Sequence, residues 1–249
     1  MKALRLAIAA LAGLVVLPAL AQETVDFAGA SWLVRSYPGG PGPNVWRADN
    51  VRVDGSGLHL SIRQHDGVWS AAEVVLAGPP LGFGTYEFEI EGDLANLDSN
   101  AVLGLFTYPG SPDIGPDGTN EIDIEFSQWG DRSNPNRLNW NIHPARAEGE
   151  KGHHAIPLEL MGPTSTHRFT WSAEAIAYAS FSGTAGEGNL APIGEWTYAP
   201  ADAARDIPRQ PLIVHLNLWL VEGRAPASGK PVEITIRAAR YTPTPWKRS

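Results

Sequence analysis

Apolar and polar residues alternate along most of the chain, in short runs that turn-forming residues separate. The clearest runs are Leu58–Arg63 and Thr85–Glu91, in which every second residue is apolar. This period of two is typical of strands, because successive side chains of a strand point to opposite faces of a sheet. Further runs of this kind cover residues 51–53, 101–108, 121–126, 138–143, 167–171, 176–181, 211–221 and 232–241. Strands at this spacing predict an antiparallel sandwich or barrel.

Helical patterns are few outside the N-terminal segment. Residues 199–205 and 157–161 each predict one or two helical turns. No internal repeat and no long linker interrupts the strands, which run from about residue 24 to 243. We therefore expect one all-β domain.

The first 21 residues have the organisation of a secretory signal peptide. Lys2 and Arg5 precede an apolar run from Leu6 to Leu17, and the small-residue site Ala19-Leu20-Ala21 follows it. A membrane anchor is the alternative, but a span needs ~20 apolar residues and this run is shorter. We expect cleavage before Gln22, which leaves residues 22–249 as a secreted or periplasmic domain with no membrane segment.

Composition narrows the classes of partner. The net charge is −8 and becomes −10 without residues 1–21, which contain two basic residues and no acidic one. An acidic chain disfavours nucleic acid and anionic lipid as partners. The absence of cysteine excludes thiol catalysis and cysteine metal sites. Nine tryptophans exceed the needs of the core, and aromatic faces stack on sugar rings, so carbohydrate becomes a candidate ligand.

The segment from Glu121 to Phe126 alternates acidic and apolar residues without a break. On a strand, Glu121, Asp123 and Glu125 share one face, where they raise each other's proton affinity. The Cα atoms of Glu121 and Glu125 would lie ~13 Å apart, and convergent side chains would bring the carboxyl groups to the ~5–5.5 Å of a retaining glycosidase. A solvated acidic strand or a calcium-binding face would have the same pattern, so the strand alone leaves these interpretations open.

Four other motifs surround the acidic strand in a fixed order. They are Gly82-Phe83-Gly84-Thr85-Tyr86-Glu87, Phe106-Thr107-Tyr108, His167-Arg168-Phe169-Thr170-Trp171 and Asn217-Leu218-Trp219. Together with the E-x-D-x-E strand, they resemble the motifs of glycoside hydrolase family 16 over most of residues 50–241. The uninterrupted acidic strand is similar to the lichenase and xyloglucan-transferase type of that family.

This resemblance implies a jelly-roll sandwich of two antiparallel sheets with a concave substrate groove. It also implies a retaining, endo-acting hydrolase of a β-glucan or related polysaccharide. Glu121 would be the nucleophile, Glu125 the acid/base, and Asp123 a hydrogen-bonding residue between them. The resemblance implies that the reaction would need no metal or cofactor. It leaves open a structural calcium ion, which occurs in relatives. We expect a monomer whose partner is the polysaccharide.

The resemblance adds further candidates for binding the substrate. They are Trp219, Asn217, His143, Phe106, Tyr108 and Glu73. Trp219 would stack on a sugar ring, although its strand is apolar enough for a core position. His143 would assist near the cleavage point or have a structural role, and Phe106 and Tyr108 would line the groove or the core.

Two departures from lichenases leave the substrate open. Thr119 stands where they carry a tryptophan, and Val75 stands where they carry an arginine. His153 and His154 lie in a Gly- and Lys-rich segment that we expect to be a solvated loop, with metal binding as the alternative. Two other functions use the same residues or fold, namely transglycosylation and carbohydrate binding without catalysis. The intact acidic strand argues against the latter.

Overall fold

The structure is a computed structural model that describes residues 22–110, 120–143, 152–188 and 190–244. The strands of this part are β1 (Thr24–Phe27), β2 (Ala30–Val34), β3 (Val51–Asp54), β4 (Gly57–His65), β5 (Val68–Ser70), β6 (Ala72–Leu76), β7 (Gly84–Glu91), β8 (Ala101–Tyr108), β9 (Glu121–Phe126), β10 (Asn136–His143), β11 (His153–Pro157), β12 (Thr164–Trp171), β13 (Ile176–Ser182), β14 (Ala191–Tyr198), β15 (Ile213–Leu220) and β16 (Val232–Pro243). The helices are α1 (Ala203–Asp206) and 3-10 turns at Ala48–Asn50, Leu94–Asn96, Ala185–Glu187 and Val221–Gly223. No helix within these ranges has the length and apolar character that crossing a membrane requires.

The strands form two antiparallel sheets that pack face to face. The first sheet has the order β1-β2-β6-β15-β8-β9-β10-β11. The second has the order β14-β13-β12-β7-β16-β4-β3, with β5 paired to β4. Because β15 inserts between β6 and β8, residues more than 100 positions apart in sequence become neighbours in the first sheet. The expected all-β, two-sheet jelly-roll sandwich is confirmed.

The alternating pattern of β9 decides which of its faces is core. Ile122, Ile124 and Phe126 are fully buried between the sheets. The acidic residues of the strand therefore lie on the opposite face of the first sheet. His167 of β12 packs beneath this strand, with its ring centroid 4.7 Å from that of Phe126.

His167 is a buried polar residue whose hydrogen bonds are satisfied inside the core. Its Nδ1 lies 2.8 Å from the Ser180 hydroxyl, and its Nε2 lies 2.8 Å from the Ser165 hydroxyl. Burial lowers the pKa of His167 to about 3, because the charged ring would be desolvated. The imidazole is therefore neutral at ordinary pH and has a structural role.

The two expected helical turns have different outcomes. The turn expected at 157–161 is wrong, since Pro157 ends strand β11 and the next residues are irregular. A single turn is a poor competitor for strand pairing, because helix nucleation is costly. The turn expected at 199–205 is present as α1, where Asp202 accepts a hydrogen bond from Arg205 N.

His153 and His154 lie on strand β11, so the expected solvated loop is wrong. These two residues pair with Asn141 and Trp140 of β10. The His154 ring stacks between the indoles of Trp140 and Trp196, at 5.8 and 5.5 Å between centroids. This stack joins the edges of the two sheets and explains why the segment is extended.

Candidate active site

Glu121, Asp123 and Glu125, here called the acidic row, face a cavity of 640 Å³ on the outer face of the first sheet. Strand β9 lies between β8 and β10, and the register places Phe106 and Asn141 on either side of Asp123. The cavity runs across the strands from β2 to β9, since residues of β2, β6, β15, β8 and β9 all line it. The three carboxyl groups thus lie in a cleft.

Asp123 and Glu125 of the acidic row hold their protons tightly. Burial raises the pKa of Asp123 well above its usual value, and the charges of Glu121 and Glu125 and a hydrogen bond with Glu121 act in the same direction. Burial and the charge of Glu121 raise the pKa of Glu125 to about 8, against an opposing hydrogen bond from Asn141. Closely spaced carboxylates cannot all ionise cheaply, so Glu125 is protonated at neutral pH.

A comparison with β7 shows what distinguishes the acidic row from a surface strand. Strand β7 also alternates acidic and apolar residues, with Glu87 and Glu89 on one face. Arg240 of the neighbouring strand neutralises both, at 3.2 and 2.7 Å. Among the described residues, Asp123 and Glu125 have no such Lys or Arg partner. Within the described residues their negative charge is therefore uncompensated, which favours the protonated forms.

Asn141 orients Glu125 and was not among the candidates from sequence. Its Nδ2 donates a 2.8 Å hydrogen bond to Glu125 Oε2. The backbone of Asn141 is in turn fixed from the core side, where the Tyr178 hydroxyl donates to its carbonyl oxygen at 2.8 Å. The contact depends on the register between β9 and β10, which the sequence does not reveal.

Four aromatic and polar candidates lie on the cavity face. Trp219, Asn217, Phe106 and Tyr108 all line the cavity, whereas Leu218 between the first two is fully buried in the core. The alternative of a core position for Trp219 is therefore excluded. Phe106 and Tyr108 form an edge-to-face pair with centroids 6.3 Å apart. Phe106 lies beside Asp123, and Tyr108 lies two residues further along β8, towards the Glu121 end of the acidic row.

Asn217 lines the cavity and carries a buried acceptor oxygen. The residue is 3% exposed, and its Oδ1 accepts no hydrogen bond within the part of the chain that the structure describes. A Cβ atom on Gly104 would lie 2.5 Å from this oxygen, so the glycine makes room for it. Gly104 also pairs with Glu125 across β8 and β9. An unsatisfied acceptor beside Glu125 suits a sugar hydroxyl donor.

Glu73 lines the cavity but is already engaged by two basic side chains. Its Oε2 accepts a hydrogen bond from Arg35 Nη1 at 2.6 Å, and its Oε1 lies 2.8 Å from His215 Nδ1. Arg35 also packs against the Trp46 ring at 4.3 Å and donates to the Gly40 carbonyl oxygen at 2.9 Å. Arg35 and His215 were missed from sequence, because their contacts with Glu73 arise only through strand pairing.

Arg35 supplies a guanidinium group near Val75, the position at which lichenases carry an arginine. Val75 lines the cavity and pairs with Leu33 of β2, and Arg35 lies two residues beyond Leu33 along the chain. The guanidinium group in this part of the cavity therefore belongs to Arg35, which directly follows β2. The position of β6 at which lichenases carry an arginine is occupied by the apolar Val75. The other departure, Thr119, lies outside the described residues, as does the segment 1–21.

His143 lies beside the acidic row without a direct hydrogen bond to it. Its Nε2 is 4.0 Å from Asp123 Oδ2, and burial together with the charge of His153 lowers its pKa. Ligand atoms of Glu121, Asp123 and His143 lie within 4.8 Å of one another, close enough to hold a metal ion. Asp123 is also hydrogen-bonded to Glu121, and two carboxyl groups form such a bond only when one of them carries a proton.

No protein-family model matches the sequence, and no curated protein does. Solved structures do match. The β-glucanase of Bacillus licheniformis is 22% identical with a TM-score of 0.61, over 86% of this chain and 92% of that chain. A prokaryotic β-1,3-1,4-glucanase (lichenase) from a mouse hindgut metagenome is 21% identical with a TM-score of 0.60, over 86% and 93%. A family 16 glycosyl hydrolase from Mycobacterium smegmatis is 19% identical with a TM-score of 0.58, over 85% and 91%.

These matches define the fold. Each covers most of this chain and most of the other protein. The chain therefore has the jelly-roll fold of family 16 glycoside hydrolases. At these identities the likeness concerns the fold, and the chemistry has to be argued from the site.

Proposed function

We propose that this chain is a retaining, endo-acting glycoside hydrolase that cleaves internal β-glycosidic bonds of a β-glucan or related polysaccharide. The observation that carries the proposal is the acidic row, in which Asp123 and Glu125 face a cavity and lack a neutralising Lys or Arg among the described residues. Two of the matching solved structures are named as β-glucanases, which favours this class of substrate.

The reaction would proceed in two displacements. Glu121 attacks the anomeric carbon and forms a glycosyl ester, while Glu125 gives its proton to the departing oxygen. Glu125 then takes a proton from water, which attacks the same carbon and releases Glu121. The raised pKa of Glu125, about 8, supports its role as the acid, since it carries a proton at neutral pH.

Asp123 supports both steps from between the two glutamates. It is 4% exposed and hydrogen-bonded to Glu121. A protonated Asp123 can donate to Glu121 and so favour the ionised nucleophile. Its burial also keeps it away from the sugar, which suits a positioning role.

The course of the cavity supports internal cleavage. It crosses five strands of the first sheet, and Trp219, Phe106 and Asn217 offer stacking faces and an acceptor along the way. A polysaccharide substrate agrees with the expected export of the chain, which we propose to be secreted or periplasmic after removal of residues 1–21. We propose that catalysis uses no metal or cofactor, since proton transfer and attack are both assigned to the acidic row.

The test is release of reducing ends from a panel of polysaccharides, with β-1,3-glucan, β-1,3-1,4-glucan and a galactan as its first members. Glu121→Gln and Glu125→Gln should each lower the rate by more than about a thousandfold. Glu89→Gln is the matched control, because Glu89 stands on an alternating acidic strand of the second sheet and should leave the rate unchanged.

The outcomes separate the competing functions. Reducing ends indicate hydrolysis, whereas longer products from labelled acceptor oligosaccharides indicate transglycosylation by the same residues. Tight binding to a polysaccharide without cleavage or transfer, unchanged in Glu121→Gln, would overturn the proposal and favour a lectin-like role.

A further inference from the structure

The turn after β9 carries an exposed tryptophan in a strained conformation. Trp129 lies four residues beyond Glu125, has φ of +55° and is 39% exposed. The left-handed region is costly for residues with a Cβ and suits glycine or asparagine. Backbone strain of this kind persists where surrounding structure enforces it, and it concentrates at functional sites.

Hydrogen bonds hold Trp129 in this conformation. Its backbone N–H donates to the Ser127 hydroxyl at 2.9 Å, and the next residue, Gly130, donates to the Ser99 carbonyl oxygen at 2.7 Å. The indole Nε1 donates to Asn139 Oδ1 at 3.2 Å. Backbone and ring are thus fixed together, although the ring contributes little to the core.

The indole lies at the Glu125 end of the cavity. Asn139, which holds the ring, is the direct cross-strand partner of Glu125 and shares its face of the sheet. The ring centroid is 6.2 Å from that of Trp219, which lines the cavity. Trp129 and Trp219, here called the indole pair, form an edge-to-face aromatic surface that continues the cavity beyond the acid/base.

We infer that the indole pair is a stacking subsite for the pyranose ring on the leaving-group side of the scissile bond. This inference rests on the proposed function, in which Glu125 protonates the oxygen of that ring. Aromatic faces bind the C–H face of a sugar, and rigid tryptophans do so at low cost in conformational entropy. The same subsite would hold the sugar acceptor in a transfer reaction.

A purely structural role does not account for Trp129. A turn at positive φ favours glycine, asparagine or aspartate, and a bulky aromatic side chain adds nothing to such a turn. A residue chosen for the core would be buried. Among the described residues, Asp66 also has positive φ, +49°, in an exposed hairpin turn of β4 and β5, and it provides a matched comparison.

The experiment compares two substrates with Trp129→Gly, Trp129→Phe and the control Asp66→Gly. One substrate is the polysaccharide that the wild type cleaves, and the other is a nitrophenyl oligosaccharide, which places no sugar on the leaving-group side. Trp129→Gly should lower kcat/KM at least about tenfold on the polysaccharide and less than about twofold on the nitrophenyl substrate. Trp129→Phe should retain most activity on both, and Asp66→Gly all of it.

Thermal unfolding excludes a trivial loss of structure. Trp129→Gly should still unfold cooperatively, because the left-handed strain that glycine relieves offsets the loss of the indole hydrogen bond to Asn139. An equal loss on both substrates, or no loss on the polysaccharide, would overturn the inference.

A binding experiment separates this inference from the proposed function. Retardation of the Glu121→Gln protein in gels containing β-1,3-1,4-glucan or β-1,3-glucan is measured with and without Trp129→Gly. If the wild type cleaves nothing but Trp129→Gly still abolishes the retardation, the indole pair binds sugar and only the catalytic proposal fails. Retardation that is the same with and without Trp129→Gly would overturn the subsite. A Glu121→Gln protein that the polysaccharides do not retard would overturn it as well.

Discussion

Asn141 holds one carboxylate oxygen of Glu125 across two strands, with its Nδ2 2.8 Å from Oε2. Asn141 faces Asp123 directly in the β9–β10 ladder, so its contact with Glu125 is diagonal. The hydrogen bond occupies one oxygen of the carboxyl group and leaves the other for the proton. It also opposes the burial and the charge of Glu121 that raise the pKa of Glu125 to about 8.

This relationship predicts the alkaline limb of the pH profile. For the free enzyme, kcat/KM should fall above about pH 8 as Glu125 loses its proton. Asn141→Ala should move this limb to higher pH, because it removes the interaction that lowers the pKa of Glu125. Asn96→Ala, which removes an amide–carboxylate contact with Asp93 outside the cavity, should leave the limb in place. A limb that moves to lower pH in Asn141→Ala would contradict the account.

We expect Asp123 to lower the stability of the folded protein at neutral pH. A carboxyl group whose pKa is raised by folding binds its proton more tightly in the folded state, so the fold loses stability as pH rises above the unfolded value of 3.8. Asp123→Asn keeps the shape and a donor towards Glu121 but does not titrate. Its Tm should exceed that of the wild type at pH 7, and this gain should vanish near pH 3.8, while activity falls. A gain independent of pH would show that ionisation is not its cause.

His167 should make the fold sensitive to acid. Its pKa is about 3 in the folded protein, against an ordinary value of 6.5, so the unfolded chain binds the extra proton between these values. The contribution is present above pH 6.5 and is lost as pH falls, by about 1.4 kcal/mol per pH unit. His167→Gln should destabilise the protein at pH 7, and denaturant unfolding should show this deficit shrinking by about 2 kcal/mol at pH 5. A constant deficit would mean that His167 does not titrate as described.

The sequence predicts most of the long, regularly patterned strands well and the short or interrupted ones poorly. The bounds expected for 101–108 and 121–126 agree with β8 and β9, since these strands are long and regularly patterned. Strands β1, β2, β5, β6, β11 and β14 were not expected. Several of them are only three to five residues long, and β14 is interrupted by Pro192 and Gly194. Tertiary pairing decides such segments, because their own patterns are too weak.

The same division applies to the candidate site. Acids on one strand can be placed on a shared face from their spacing alone. Contacts between strands need the register, and Asn141, His215 and Arg35 meet their partners only through strand pairing. Trp129 was missed for another reason, since its turn has no repeating pattern and only its positive φ and exposure distinguish it.

The most direct test of the central claim is the configuration of the glycosyl azide formed by two variants. With an activated β-linked aryl donor, azide can attack from the space that a removed carboxylate leaves. Glu125→Ala should give the β-glycosyl azide, because Glu121 still forms the intermediate and two inversions restore the configuration. Glu121→Ala should give the α-glycosyl azide by a single inversion, as measured from the anomeric proton coupling. The reverse assignment of the two products would contradict the roles of Glu121 and Glu125.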